Sequence, residues 1–149
     1  IDSTYNIYMI DVISMHPATD NTSFNMRMGI TGDSGFIDSS IYDWGHYRYQ
    51  SDTTSSDYYN ANQAEIEFAR NINNESESTF SGRIFVYNVT TTAHDKHVAY
   101  QSSYTLNSDH LAGGVGSARM ESTSVVDSFR FFMGSGNIDS GIFKLYGVT

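Results

Sequence analysis

Apolar side chains recur at every second position through most of this chain, and no window carries a sustained helical stripe of Leu, Ala, Glu and Lys. Phe24, Met26, Met28 and Ile30 alternate with Asn25, Arg27 and Gly29. Further on, Phe80, Ile84 and Val86 share one side of a run whose other side carries Phe85 and Tyr87. Successive side chains of a strand point to opposite faces, so such runs give a sheet one dry face and one wet one. The remaining composition agrees: 11 Tyr and 9 Phe suit a pleated surface, while Ser, Asn and Gly supply turns. An all-β fold is expected.

The alternation predicts about nine strands, over 5–14, 24–30, 41–49, 64–69, 80–87, 97–104, 111–120, 124–133 and 142–148. In the first, Tyr8, Ile10 and Val12 oppose Ile7 and Met9, so both faces are apolar. That fits a central strand or one pressed against a neighbouring subunit. Gly113, Gly114 and Gly116 within one run imply a bulge or a close backbone approach. The last two runs flank the Gly/Ser/Asn/Asp segment 134–141 and read as an antiparallel hairpin. Residues 51–62 are polar and read as the longest loop. Turn signals at this spacing, with no internal repeat and no linker, predict one antiparallel, jelly-roll-like β-sandwich over 1–149.

Charge narrows the partners. Seventeen acidic residues against 8 basic give a formal net charge of −9. A nucleic-acid ligand needs a basic surface, and adhesion to an anionic membrane needs the same, so neither is expected. The chain has no cysteine, which excludes disulfides and thiolate metal sites. No apolar run is long enough for a membrane-spanning helix.

Several motifs invite a chemical reading. Gly32-Asp33-Ser34-Gly35 has the look of a serine-protease nucleophile segment, but its residues are those of a turn, and Phe36 follows. His94 and His97, with His110 further on, lack the spacing of a zinc site. Scattered loop oxygens (Asp33, Asp38, Asp52, Asp109 among them) allow a loop calcium without assigning it, and no cofactor is expected. Glu65 and Glu67 share the outward face of a predicted strand and read as a charge row guarding a sheet edge, not as an acid–base pair. The aromatics are the stronger lead. Tyr42, Trp44, Tyr47 and Tyr49 lead into a polar segment holding Asp57, Tyr58 and Tyr59. Tyr and Trp pair an apolar face with a hydrogen-bonding tip, which suits sugar rings and protein interfaces. Tyr58, Tyr59, Asp57 and Trp44 are the expected contact residues, although Trp44 and its same-face neighbour Tyr42 also suit the core.

A resemblance accompanies the pattern. Phe129-Arg130-Phe131, then Ser135-Gly136-Asn137-Ile138, Ser140-Gly141, Phe143 and Leu145-Tyr146-Gly147-Val148, is similar to the C-terminal signature of tail-fibre-like and other structural proteins of tailed-bacteriophage virions. Pro17-Ala18-Thr19-Asp20, Thr31 to Gly35, Phe80 to Ile84 and Val98 to Gln101 resemble other parts of that layout. The resemblance implies a virion-surface protein without enzymatic activity, of tail-fibre type, attaching to a host glycan or receptor. It further implies other virion proteins as partners, a homotrimer, and a place as the C-terminal part of a longer chain. Capsid decoration is the first alternative. A carbohydrate-binding module of an extracellular protein is the second, and a glycan depolymerase ranks last.

Overall fold

The computed structural model describes residues 1–2, 4–52 and 55–149. Among these residues ten strands are present: β1 (Ile7–Pro17), β2 (Thr22–Ile30), β3 (Tyr42–Gln50), β4 (Ser56–Gln63), β5 (Ile66–Ile72), β6 (Phe80–Tyr87), β7 (Lys96–Thr105), β8 (Leu111–Met120), β9 (Val126–Met133) and β10 (Ile138–Val148). All pair antiparallel. The large sheet has seven strands in the order β10-β1-β6-β7-β8-β3-β4, and the small sheet has three in the order β5-β2-β9. This is the all-β, two-sheet sandwich expected from the alternation, with strongly unequal layers.

The core lies between the sheets, and the covered strands bury the residues their alternation marks. Tyr8, Ile10 and Val12 of β1, Ile84 and Val86 of β6, and Phe24, Met26 and Met28 of β2 are all buried. Phe24 anchors the layer, with the rings of Phe80, Phe68 and Phe131 at 4.9, 5.6 and 5.8 Å. Burying each such side chain contributes about 1.5–3 kcal/mol. The tight reversal after β2 matches its turn chemistry: Asp33 N–H donates to Ile30 O (3.1 Å), and Gly32 holds φ 91°. At the far end Lys96 is fully buried, its ammonium donating to the carbonyls of Thr91 (2.7 Å) and His94 (3.1 Å).

Two expectations need correction. The first concerns the C-terminal runs, which form no hairpin. β9 pairs with β2 in the small sheet, and β10 pairs with β1 in the large one. Both runs carry large apolar residues, and Phe131 meets Phe143 ring to ring at 5.4 Å across the sandwich. The Gly-rich connector therefore carries the chain between layers, pinned by Gly134 N–H to Ser23 O and Ala18 N–H to Asn137 O, each at 2.9 Å. The second concerns 51–62, which is not a loop throughout. Its later part is strand β4, the outer edge of the large sheet, hydrogen-bonded to β3. Few apolar residues mark it because an edge strand beyond the small sheet has little to bury.

The doubly apolar β1 lies between β10 and β6, the central position its pattern allowed. β10 is the opposite edge. Its Ile142, Phe143, Leu145 and Tyr146 are substantially exposed.

Candidate functional site

Placing the aromatic-rich segment on paired strands divides the expected contact residues between two faces. Trp44 and Tyr58 turn inward, toward the small sheet; Asp57 and Tyr59 turn outward. Trp44 is buried and stacks on His46 at 5.7 Å, so it is core. Tyr58 is half-buried, with His46 at 5.2 Å and the guanidiniums of Arg48 and Arg70 at 4.7 and 4.4 Å from its ring centre. Cation–π contacts of this kind are each worth about 0.5–2 kcal/mol, so Tyr58 is a structural clamp between β3 and β5.

That inner cluster is closely tied. Tyr100 donates its hydroxyl hydrogen to Glu67 O (3.2 Å), which leaves its oxygen to accept from His46 Nδ1–H at 3.2 Å. The bond directions put the imidazole proton on Nδ1 and leave Nε2 bare, and Nε2 is buried without a partner. Burial, reinforced by Arg70 and Arg48, lowers the His46 pKa to about 4, so the ring is neutral at physiological pH. Burial raises the Glu67 carboxyl against the opposing effect of its 2.5 Å pair with Arg70. Glu65 is paired separately with Arg27 at 2.8 Å. The two glutamates are thus each held by a guanidinium.

The outer face of the large sheet is organised differently. Register aligns side chains in rows across the strands. One row runs Lys144, Asp11, Arg83, Gln101, Val115, Tyr47, Asp57, and its long side chains make a ridge. On either side the rows turn small at their centres. Ser81, Ser103 and Gly113 lead to Tyr49 on one side; Ala99, Ser117 and Gly45 lead to Tyr59 on the other. The result is a ridge between two troughs, each ending on a tyrosine.

Exposure follows that relief. Tyr59 is 79% exposed, Val115 58%, Tyr49 49% and Tyr47 47%. A depression of about 630 Å³ follows the first trough, bordered by Asp11, Arg83, Gln101, Val115 and Tyr49. Smaller ones, about 420 and 240 Å³, open beside Tyr47 and Asp57 and around Gly45 and Asn60. On the ridge, Arg83 grips Asp11 with two bonds, Nε to Oδ1 at 2.6 Å and a terminal nitrogen to Oδ2 at 3.1 Å. That bonding holds the Asp11 carboxyl below its usual range.

Neighbouring strands lie about 4.8 Å apart, so a ligand spanning the face from β1 to β3 would stretch over about 19 Å. The backbone beneath is paired sheet, interrupted by one bulge of β1 between Val12 and Met15, and it fixes these side chains more firmly than a loop would. Val115, Arg83 and Gln101 carry no signal in the sequence, and Tyr49 stands there only as one of the aromatics leading into the polar segment. Only their shared outward parity, read together with strand order, brings them to one face.

The histidines are dispersed: His94 lies in the β6–β7 connection, His97 on the outer face of β7, and His110 at 3.9 Å from Asp52. Among the described residues no group of His, Asp or Glu converges as a metal site. Comparison of the chain with known protein families, curated proteins and solved structures gives no match.

Proposed function

We propose that this chain is a non-catalytic surface domain of a tailed-phage virion, an attachment domain of tail-fibre type, and that it meets its ligand with the outer face of the large sheet. The observation that carries the binding part is the ridge-and-trough relief. Tyr47, Tyr49, Tyr59 and Val115 stand exposed together on rigid strands, beside hydrogen-bonding side chains and open depressions. Exposed aromatic groups clustered in this way are characteristic of recognition surfaces. The virion part is supported by the C-terminal pattern from Phe129 to Val148.

Assembly fits the same reading. The edge strand β10 presents Ile142, Phe143, Leu145 and Tyr146 to solvent, and an apolar cleft of about 290 Å³ opens between it and β9. A homotrimer would cover this edge, which otherwise is an open template for strand pairing.

Immunogold electron microscopy of tailed particles whose genome encodes the chain tests the proposal, with antibody raised against these 149 residues. Gold at fibre tips is the expected result. Gold over the head would replace attachment with capsid decoration. Particles free of gold would remove the virion reading.

A further inference from the structure

We infer that the depression beside Tyr49 is a binding site for a neutral saccharide chain of the host surface, lying across strands β1, β6, β7, β8 and β3. The inference rests on the attachment reading above and assigns that face a ligand class.

The first observation is the pose of Tyr49. Gly113 lies opposite it in the ladder, and a Cβ built on Gly113 would lie 2.5 Å from Tyr49 Oη and 2.7 Å from its Cζ. The ring therefore lies down over the glycine, where any larger residue would prop it up. One ring face is spent on the sheet, and the exposed remainder looks out over the depression. A flat aromatic shelf at sheet level suits the apolar face of a sugar ring better than a protein side chain, which would need a deeper pocket.

The second observation is what borders the shelf. Gln101 and Ser103 are exposed, and Ser81 keeps its hydroxyl hydrogen while its oxygen accepts from Ser14 N–H at 3.0 Å. These groups both donate and accept hydrogen bonds, which matches the hydroxyls of a saccharide. Val115 and Ile13 add apolar borders without closing the depression.

The third observation is charge. Among the described residues, Arg83 is the one cation bordering the depression, and Asp11 neutralises it through both carboxylate oxygens. The chain as a whole carries −9. A polyanionic glycan would meet repulsion from that charge; among the described border residues the one cation is already paired, and Lys144, across the ladder from Asp11, lies outside the border, so an acidic peptide would fare no better. A cationic ligand would find, among the described border residues, only the Asp11 carboxylate, already held by Arg83. An uncharged polyhydroxyl chain is the complementary ligand.

The test is retention of the 149-residue chain on arrayed oligosaccharides, comprising neutral hexose and N-acetylhexosamine series beside sulfated and uronic-acid series. Neutral chains should be retained, and added salt should not weaken them. Tyr49→Ala should reduce retention about tenfold, the equivalent of one lost aromatic contact. Ser103→Trp, which fills the trough and leaves Tyr49 in place, should abolish it. Arg130→Ala, on the outer side of the small sheet, should leave it unchanged, and melting curves establish that each variant folds.

Retention of the acidic series alone, or salt-sensitive retention, overturns the inference. So does neutral retention that survives Ser103→Trp in a folded protein, or the absence of any retention. These failures are separable from failure of the virion reading. Gold on particles with no saccharide retention would sink the ligand class alone, while trough-dependent retention with no gold would sink the virion alone.

Discussion

The two sides of β3 use the same kinds of residue for opposite ends. Inward, Trp44, His46 and Arg48 pack with Tyr58, Arg70 and Tyr100 into a clamp that ties the sheets together. Outward, Tyr47 and Tyr49 stand on the open face with Val115 and Tyr59. Alternating residues of one strand are thus divided between cohesion and display. Aromatic density along a sequence does not mark a site by itself; the pleat decides which half holds the protein together and which half faces a partner.

The sharpest way to break this comparison is to truncate one residue on the inner side. Trp44→Ala should destabilise by about 3–5 kcal/mol, since it removes a buried indole together with its contacts to His46 and Arg70. Denaturant midpoints measure this directly. A loss near zero would mean that the inner cluster is not cohesive.

Acid offers a second route to the same cluster. The His46 pKa is about 4 folded against an ordinary value of 6.5, so between these pH values the unfolded chain binds the extra proton. Stability therefore falls as pH drops through that window, by about 3 kcal/mol in full, and levels off below it. Glu67, raised by burial, acts in the opposite direction and offsets part of the fall. Asp11 and Asp43, held low by Arg83 and by Asn62 with Arg119, add their own losses at lower pH. His46→Phe should flatten the dependence between pH 6.5 and 4, as seen in melts across that range. An unchanged slope would place the acid sensitivity elsewhere.

The same division explains what the sequence could and could not tell. Strands such as β2, β6 and β7 were legible because one face of each is dry, and burial writes a period of two into the residues. β4 was not. Ser56 to Gln63 sits at the sheet's edge, where Tyr58 is half-buried and nothing is fully buried, so its pattern records little burial and reads as a loop. The C-terminal hairpin failed for a different reason. Alternation and a Gly-rich connector are equally present when a chain turns back within a sheet and when it crosses to the other layer. Phe131 and Phe143 had the right faces and the wrong pairing. The outer site was hidden twice over. Tyr49, Gln101 and Val115 are far apart in sequence, and only the order β7-β8-β3 makes them neighbours.

Glycines test how closely each face is packed. On the inner side, a Cβ at Gly116 would collide with the Tyr100 ring and press on His46. Gly116→Ala should cost about 1–3 kcal/mol as the ring is forced off its position. A neutral result would show slack around Tyr100, and with it a looser clamp than the hydrogen bonds from His46 and to Glu67 describe.

The smallest effect is expected where exposure is greatest. Tyr59 is 79% exposed at the edge strand, and its partner across the ladder is Gly45, which offers no side chain to pack against. Truncation there opens no cavity and strands no buried polar atom, so Tyr59→Ala should change stability by no more than about 0.5 kcal/mol. Tyr58→Ala, one residue earlier, should cost several times more, because it leaves Arg48 and Arg70 without the ring between them. Comparing these adjacent substitutions in denaturant needs no ligand and no knowledge of the partner. Equal costs at the two positions would mean that β4 does not present opposite faces to core and solvent, and the assignment of the outer face as a display surface would lose its basis.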